Sequence, residues 1–469
     1  MRVVVVGAGI TGLAAAWWLI RGAPAGVELE VLEAEARAGG HAWTRREDGF
    51  VVEAGPNGFL HRPDEPQVLE LVRELGMESR LIEARPAARR RFVRRGGRLH
   101  RAPDGPHTLI ASRALSAAGK LRLLREPWVA PAAAGAAEET VFEFARRRVG
   151  VEVAEALVDA AVAGISAGDS RRLSVAAAFP RMVEMEREHG SLIRAMFSGR
   201  RSRPRLLSFD RGMATLIDAL GVRLGSALRA GCPLERIAHD GRRWRLECRD
   251  GSTRMADRLV LAVSATRAAR LLADLDPALA GTLESIPYAG LGVVALAYRE
   301  TDLPRALDGY GYLVARSEDL DTLGVVWESS LFEGRAPRGA VLLRAMLGGA
   351  RRPDLVGLAD DDLAARARRE LAAVMKITAE PLETWVWRWP RAIAQYEVGH
   401  LARIRQARAL AARHDGLELC GTSYDGVSFA AAVASARAAA ERVLVGFEAA
   451  ASGEGPTRER PAAMEVLPA

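Results

Sequence analysis

Cysteine, lysine and long apolar runs are all scarce in this chain, and each scarcity excludes something. The cysteines are Cys232, Cys248 and Cys420, odd in number and without metal-ligand spacing. Neither a disulfide framework nor a zinc site is expected, and a reducing compartment fits. Lysine occurs only at Lys120 and Lys376, so the 66 basic residues are almost all arginine. Against 59 acidic residues they leave a net charge of +7, which suits nucleic acid, an anionic membrane surface or an acidic substrate alike. Arginine and alanine are both favoured by GC-rich codons, so the charge decides little. The runs RPAARRRFVRR and SGRRSRPR lack the interleaved aromatics of nucleic-acid binders, and no nucleic-acid partner is expected. No uncharged apolar run approaches the ~20 residues that span a bilayer, so any membrane contact is expected to be peripheral. Met-Arg followed at once by an apolar strand and glycines lacks the pattern of a signal peptide, and a cytoplasmic location is expected. His41, His61, His189 and His400 show no zinc spacing and no triad. They read as structural or surface groups, and no metal is expected.

What is present begins with a buried-strand run, RVVVV at residues 2–6, then a helical pattern over Gly12–Ile20 and a second strand over Val27–Glu33. A continuous valine run entering a βαβ unit predicts a parallel sheet covered on both faces. From about Pro86 to Pro204 basic and helical patterns take over, read as an inserted helical domain. Residues 204–265 return to strands that rejoin the first sheet, residues 266–400 mix strands and helices, and residues 401–447 supply a strand, a glycine turn and a long Ala-rich helix. The Pro- and Gly-rich tail, 448–469, reads as disordered.

The chemistry starts at VVVVGAGITG, where Gly7, Ala8, Gly9, Ile10, Thr11 and Gly12 form a GxGxxG loop between strand and helix. The first glycine permits the tight turn, the second lets backbone approach a pyrophosphate, and the third lets helix pack on strand. Phosphates then meet the amide groups at the helix N-terminus. Glu33, followed by Ala34, ends the second strand, where its carboxylate suits ribose hydroxyls. FAD and NAD both satisfy this much. The continuation EAEARAGG favours FAD, with Arg37 placed to pair with phosphate or to brace the loop, and Gly39 and Gly40 permitting close approach. The loop Gly55-Pro56-Asn57-Gly58 is a second candidate contact, along the ribityl chain and flavin ring.

Further stretches widen the pattern: Arg90-Arg91-Phe92, the run from Gly164 to Asp169 with Leu173-Ser174, Phe179-Pro180, Met185 to His189, Trp389-Pro390, Gln395-Tyr396, Gly399 to Leu401, and Gly421 to Val427. With these the chain resembles the protoporphyrinogen oxidase family, FAD enzymes of haem synthesis, from about Met1 to Val445. The resemblance implies an α/β chain, α+β overall, of the two-dinucleotide-binding-domain type. Its Rossmann-like FAD domain would comprise residues 1–85, 204–265 and 401–447, its helical membrane-associating domain 86–203, and its mixed-sheet substrate domain 266–400.

It further implies noncovalent FAD, lined by Leu234, Trp389, Gly421, Val427, Ser428 and Phe429. Arg91 would meet a propionate, with Tyr310, Leu313 and Met346 as pocket walls and Ser166 facing substrate where relatives often carry an aromatic. The implied partners are a porphyrinogen and molecular oxygen, with a homodimer and contact with the inner membrane face as further expectations. Residues 430–432 read Ala-Ala-Ala where the family usually has Asn-Asp-Cys, so the helix beside the flavin is expected to lack its polar cap. An amine oxidase, a desaturase, a coproporphyrinogen oxidase and a flavin-fold binding protein without turnover remain alternatives.

Overall fold

The computed structural model describes residues 1–133, 135–198 and 204–452. Among them, five parallel strands form the first sheet in the order Leu228–Arg229, Glu28–Leu32 (β2), Arg2–Val6 (β1), Arg258–Leu261, Leu417–Leu419. The valines of β1 alternate between two cores. Val3 and Val5 pack under the helix Ile10–Gly22 (α1) and the C-terminal helix Phe429–Ser452. Val4 and Val6 pack under a three-stranded antiparallel sheet, residues 234–256, and the helices Ala265–Leu272 and His400–Ala411. The expected two-sided burial of a parallel sheet is therefore observed. α1 extends two residues earlier and later than the sequence pattern suggested, with Thr11 through Leu19 buried on every side and Ile20 to Gly22 exposed.

A seven-stranded mixed sheet makes the second body, in the order Glu383–Ala394, Tyr288–Arg299, Ala340–Gly348, Thr322–Trp327, Gly311–Val314, Arg91–Arg95, Arg98–Arg101. The helix Asp360–Met375 covers one face. Trp385, Trp387 and Trp389 share the opposite face with Trp43, Phe50 and Val52, as their alternation predicts.

The boundary expected at residue 86 is corrected by this sheet. Arg91–Arg95 pairs in parallel with Gly311–Val314 and turns back through Arg98–Arg101. Phe92 and Val93 supply the apolar, β-favouring side chains, while the surrounding arginines hid the alternation. Likewise Ala265–Leu272 and Pro277–Glu284 pack into the core of the first sheet rather than the second body. The tail expectation is corrected in part: residues 448–452 continue the C-terminal helix, and 453–469 lie outside the described residues. No helix among the described residues is long and apolar enough to cross a membrane.

Helices from Pro106 to Phe197 form the insertion, and a buried charge cluster joins it to the second body. Asp159, only 2% exposed, accepts hydrogen bonds from Ser170, Arg316 and Arg351. Ala350 N–H donates to the Ala167 carbonyl at 2.7 Å. Removing one partner from such a cluster leaves buried charge uncompensated. Asp159→Asn is therefore expected to lower stability by roughly 3 kcal/mol, checked by the shift of the thermal and urea midpoints.

Candidate functional site

The glycine loop has the close contacts that its motif requires. Gly7 has φ +96°, and a Cβ on Gly12 would stand 1.8 Å from the Gly7 carbonyl oxygen. A Cβ on Gly9 would meet nothing within 4 Å, so the loop leaves open space on the side where a phosphate would approach. Gly9 begins α1 without a side-chain cap, which leaves first-turn amides free to donate to an anion. Ile10 and Thr11 lie in that turn.

Glu33 reaches back into this loop. Its carboxylate accepts the Ala8 N–H at 2.7 Å and the Glu35 N–H at 2.9 Å, while neighbouring Ala34 is exposed. The second glycine pair closes the other side: Gly39 N–H donates to the Ala8 carbonyl at 2.7 Å, and a Cβ on Gly40 would lie 3.5 Å from the Gly9 Cα. Of its two readings, Arg37 takes the brace. It donates to the carbonyls of Ala38 and Gly40 at 3.2 and 2.9 Å and stacks 4.2 Å from the Trp43 ring centre. From the far side, a Cβ on Gly421 would lie 3.6 Å from the Thr11 hydroxyl. Open space, free amides and a ribose-height carboxylate fit a dinucleotide.

The loop Gly55–Gly58 runs away from this cradle and is gripped by charge. A Cβ on Gly55 would lie 2.0 Å from the His41 carbonyl, so a side chain there would break the contact between the two loops. Arg344, on the strand Ala340–Gly348, donates to the Gly55 carbonyl and pairs with Glu328 at 2.7 Å. Glu328 also accepts the Asn57 amide at 3.2 Å. Ser208 donates to the Asn57 carbonyl at 2.7 Å and itself accepts from fully buried Arg335 at 2.6 Å. The Trp389 indole donates to Ala54 at 2.8 Å. The second body thus fixes a loop of the first through Arg344 and Trp389 on its strands and Glu328 on the helix Glu328–Leu331. Pro56 contributes no backbone donor to this set.

Glu53, just ahead of the loop, is 1% exposed. Burial pushes its carboxyl up to about 7, against the pull of Arg335, the Thr44 hydroxyl and the Met213 amide.

Arg91 stands at the edge of this network, 5.1 Å from the centre of the Tyr310 ring. Its neighbour Arg90 is occupied by the Asp308 carbonyl and pairs with that carboxylate. Among the described residues Arg91 pairs with no carboxylate. Burial, and next Glu328, push the Tyr310 phenol up, while Arg91 and then Arg344 pull it back. Met346 touches both apolar clusters beside the loop. Leu313 packs so closely under the helix Asp159–Ser166 that a Cβ on Gly164 would lie 2.3 Å from it. Ser166 is buried, with its hydroxyl donating to the Val162 carbonyl at 2.8 Å, so its hydrogen bond is internal to its own helix.

Leu234 is buried at the start of its strand, below the segment whose Cys232 N–H donates to the Glu33 carbonyl. Phe429 stacks on Phe59 at 6.0 Å, beside Gly58, and Val427 is half-buried. The expected loss of the helix cap is overturned. Ser428 Oγ accepts the Ala431 N–H at 3.0 Å, so a serine two positions before Ala430 does the work that Ala430 to Ala432 cannot.

His41 was missed as a site residue. It is open to solvent and yet crowded by protein, edge-on to Trp389 at 4.8 Å, the situation of a side chain lining a cleft. Crowding and Arg37 hold its imidazole below the ordinary value. Its only sequence signal was its place directly after Gly39-Gly40.

Gly12→Val is expected to abolish flavin binding, and Glu33→Ala to weaken it by roughly 1–3 kcal/mol, both read by fluorescence titration. Glu53 is protonated in folded and unfolded chains below its ordinary 4.5. As pH rises toward about 7 the unfolded chain ionises first, so stability falls across that window. In Glu53→Gln this fall is expected to disappear from the urea midpoint measured against pH.

Residues 10–444 match the family described as flavin containing amine oxidoreductase. Protoporphyrinogen oxidase of Bos taurus is 34% identical over 483 residues, covering 94% of this chain and 98% of that protein. Coproporphyrinogen III oxidase of Bacillus subtilis is 31% identical over 466 residues, with coverages of 94% and 98%. A solved Exiguobacterium structure superposes with a TM-score of 0.83 at 27% identity, over 95% of this chain and 99% of the other. Cyclohexylamine oxidase from Brevibacterium oxydans shares the fold, with a TM-score of 0.70 at 19% identity and coverages of 95% and 99%. The resemblance read from the motifs and the flavoprotein fold class are both borne out. The chain belongs to the flavin containing amine oxidoreductase family and is an oxidoreductase.

Proposed function

We propose that this chain binds FAD noncovalently and oxidises protoporphyrinogen IX to protoporphyrin IX, a step of haem synthesis. The observation that carries the reading is Arg91, a cation without a carboxylate partner among the described residues, held over Tyr310, whose apolar cluster includes Met346, with Leu313 in a neighbouring cluster beside Val93. A propionate is a suitable partner for such a guanidinium. The relatives named above support the macrocycle as substrate.

When bound, the flavin would accept hydride and be reoxidised by molecular oxygen, giving hydrogen peroxide. The protein's part is position. Arg91 anchors an acidic arm, Tyr310 and Met346 press the ring system toward the loop Gly55–Gly58, and Arg344 with Glu328 keeps that loop still. No side-chain nucleophile is needed. Noncovalent binding is supported by Cys420, which is fully buried and whose thiol burial pushes far up, the wrong state for attachment to a flavin. Peripheral membrane contact is part of the proposal: the insertion exposes Leu121, Leu124, Trp128, Met196 and Phe197, apolar groups suited to a lipid surface.

A second reading, oxidation of coproporphyrinogen III, is favoured by the Bacillus relative. Anaerobic mixing with each porphyrinogen separates the two. Bleaching of the flavin and porphyrin fluorescence should be faster with protoporphyrinogen; a preference for coproporphyrinogen selects the second reading, and neither signal sinks both. Arg91→Ala is expected to lower kcat/KM by roughly 10- to 100-fold, the size of one charge-assisted hydrogen bond, mainly through KM.

A further inference from the structure

The sequence offered three isolated cysteines, but the fold brings two of them together. Cys232 and Cys248 sit at the open end of the hairpin whose first paired residues are Leu234 and Cys248. Their sulfurs are 3.1 Å apart, and Arg249 N–H donates to the Pro233 carbonyl at 2.9 Å to hold the two chains in place. Cys232 is half-buried and Cys248 buried, so one of the pair is open to a small reagent. The backbone around Cys232 continues into the cofactor cradle. Cys232 N–H donates to the Glu33 carbonyl at 2.7 Å, Gly231 N–H to the Glu35 carbonyl at 2.8 Å, and Glu33 N–H to the Arg229 carbonyl at 2.9 Å.

We propose that Cys232 and Cys248 form a dithiol site that a hydroperoxide closes to an intrachain disulfide, fastening the segment behind Glu33 and slowing cofactor release. In the step, the Cys232 sulfur attacks one peroxide oxygen, the O–O bond breaks, and a sulfenic acid and water form. The Cys248 sulfur then displaces the sulfenic oxygen, which leaves as a second water. Two thiols are oxidised by two electrons and one hydrogen peroxide is reduced. Burial, and next the contact with Cys248, push the Cys232 thiol up, which lowers its thiolate fraction and makes closure slow. Cys420, whose sulfur meets only the Leu261 carbonyl at 4.0 Å, has no sulfur partner and serves as the internal control.

The test treats the flavin-loaded full chain with hydrogen peroxide, counts thiols after denaturation, and maps unreduced peptides by mass spectrometry. Two of the three thiols are expected to disappear, with a peptide linking residues 232 and 248 that dithiothreitol reverses. Flavin release is expected to slow by roughly fivefold, the effect of ordering one loop. Cys248→Ser should give no linked peptide and a release rate indifferent to peroxide. Retention of all three thiols, over-oxidation of Cys232 without a link, or unchanged flavin release after linkage each overturns the proposal. The effect on release rests on the FAD reading above. A chain that links its cysteines but never takes up FAD sinks that reading and leaves the dithiol site standing.

Discussion

The approach of α1 to the end of β1 is the constraint on which the rest of the molecule depends. A carbon atom on Gly12 would overlap the Gly7 carbonyl, so helix and strand meet only because both positions are bare. That contact fixes where the first-turn amides point. It also puts Ala8 where Glu33 reaches it, and Ala8 in turn accepts from Gly39. The end of β2 and the glycine pair that follows it are therefore registered against one turn. The sheet core on both sides, Val3 and Val5 against one set of helices and Val4 and Val6 against another, makes that turn rigid by burying it from two directions.

The second body is tied to this turn through buried ions rather than through apolar packing alone. Arg344 and Glu328 lie on one body and hold carbonyls and the Asn57 amide of the other. Such pairs are weak sources of net stability, since desolvation offsets most of their attraction. What they do give is direction: a guanidinium fork accepts only a narrow set of carbonyl positions. An oxidoreductase that must hold a substrate against its cofactor gains from direction more than from stability. The Asp159 cluster does the same for the insertion, with Arg316 and Arg351 reaching it from the second body.

The sequence was legible where one periodicity or one steric rule acts locally. The valine run of β1, the glycine spacing, the strand-ending Glu33 and the three alternating tryptophans could each be read without knowing what lies across the fold. Arg91–Arg101 could not, because its pairing partner is Gly311–Val314, more than two hundred positions away, and its charges masked a period of two. The Ser428 cap was hidden because the motif directed attention to residues 430–432. His41 gave little signal, since its contact with Trp389 is made by a strand of a different sheet. The cysteine pair was invisible for the same reason: its partners are diagonal neighbours created by strand register.

The motifs that best distinguished the family turn out to be joints. Glu186, in the stretch Met185–His189, accepts from Arg147 at 2.7 Å and lies 3.3 Å from fully buried Arg148, locking two helices of the insertion together. Asp169 connects that insertion to Arg316, and Ser170 holds Asp159 within it. Neither group has the exposure or the neighbours of an acid, base or nucleophile acting on a substrate. This follows from chemistry that resides in a cofactor. When a flavin supplies the reactive atom, the protein is asked for distance, orientation and exclusion of water, and those demands fall on residues that hold elements together. Ser428 shows the corollary. Replacing Asn-Asp-Cys by three alanines removes particular side chains, but the demand was for a capped helix end aimed at the site, and one hydroxyl at 3.0 Å from the Ala431 amide nitrogen meets it.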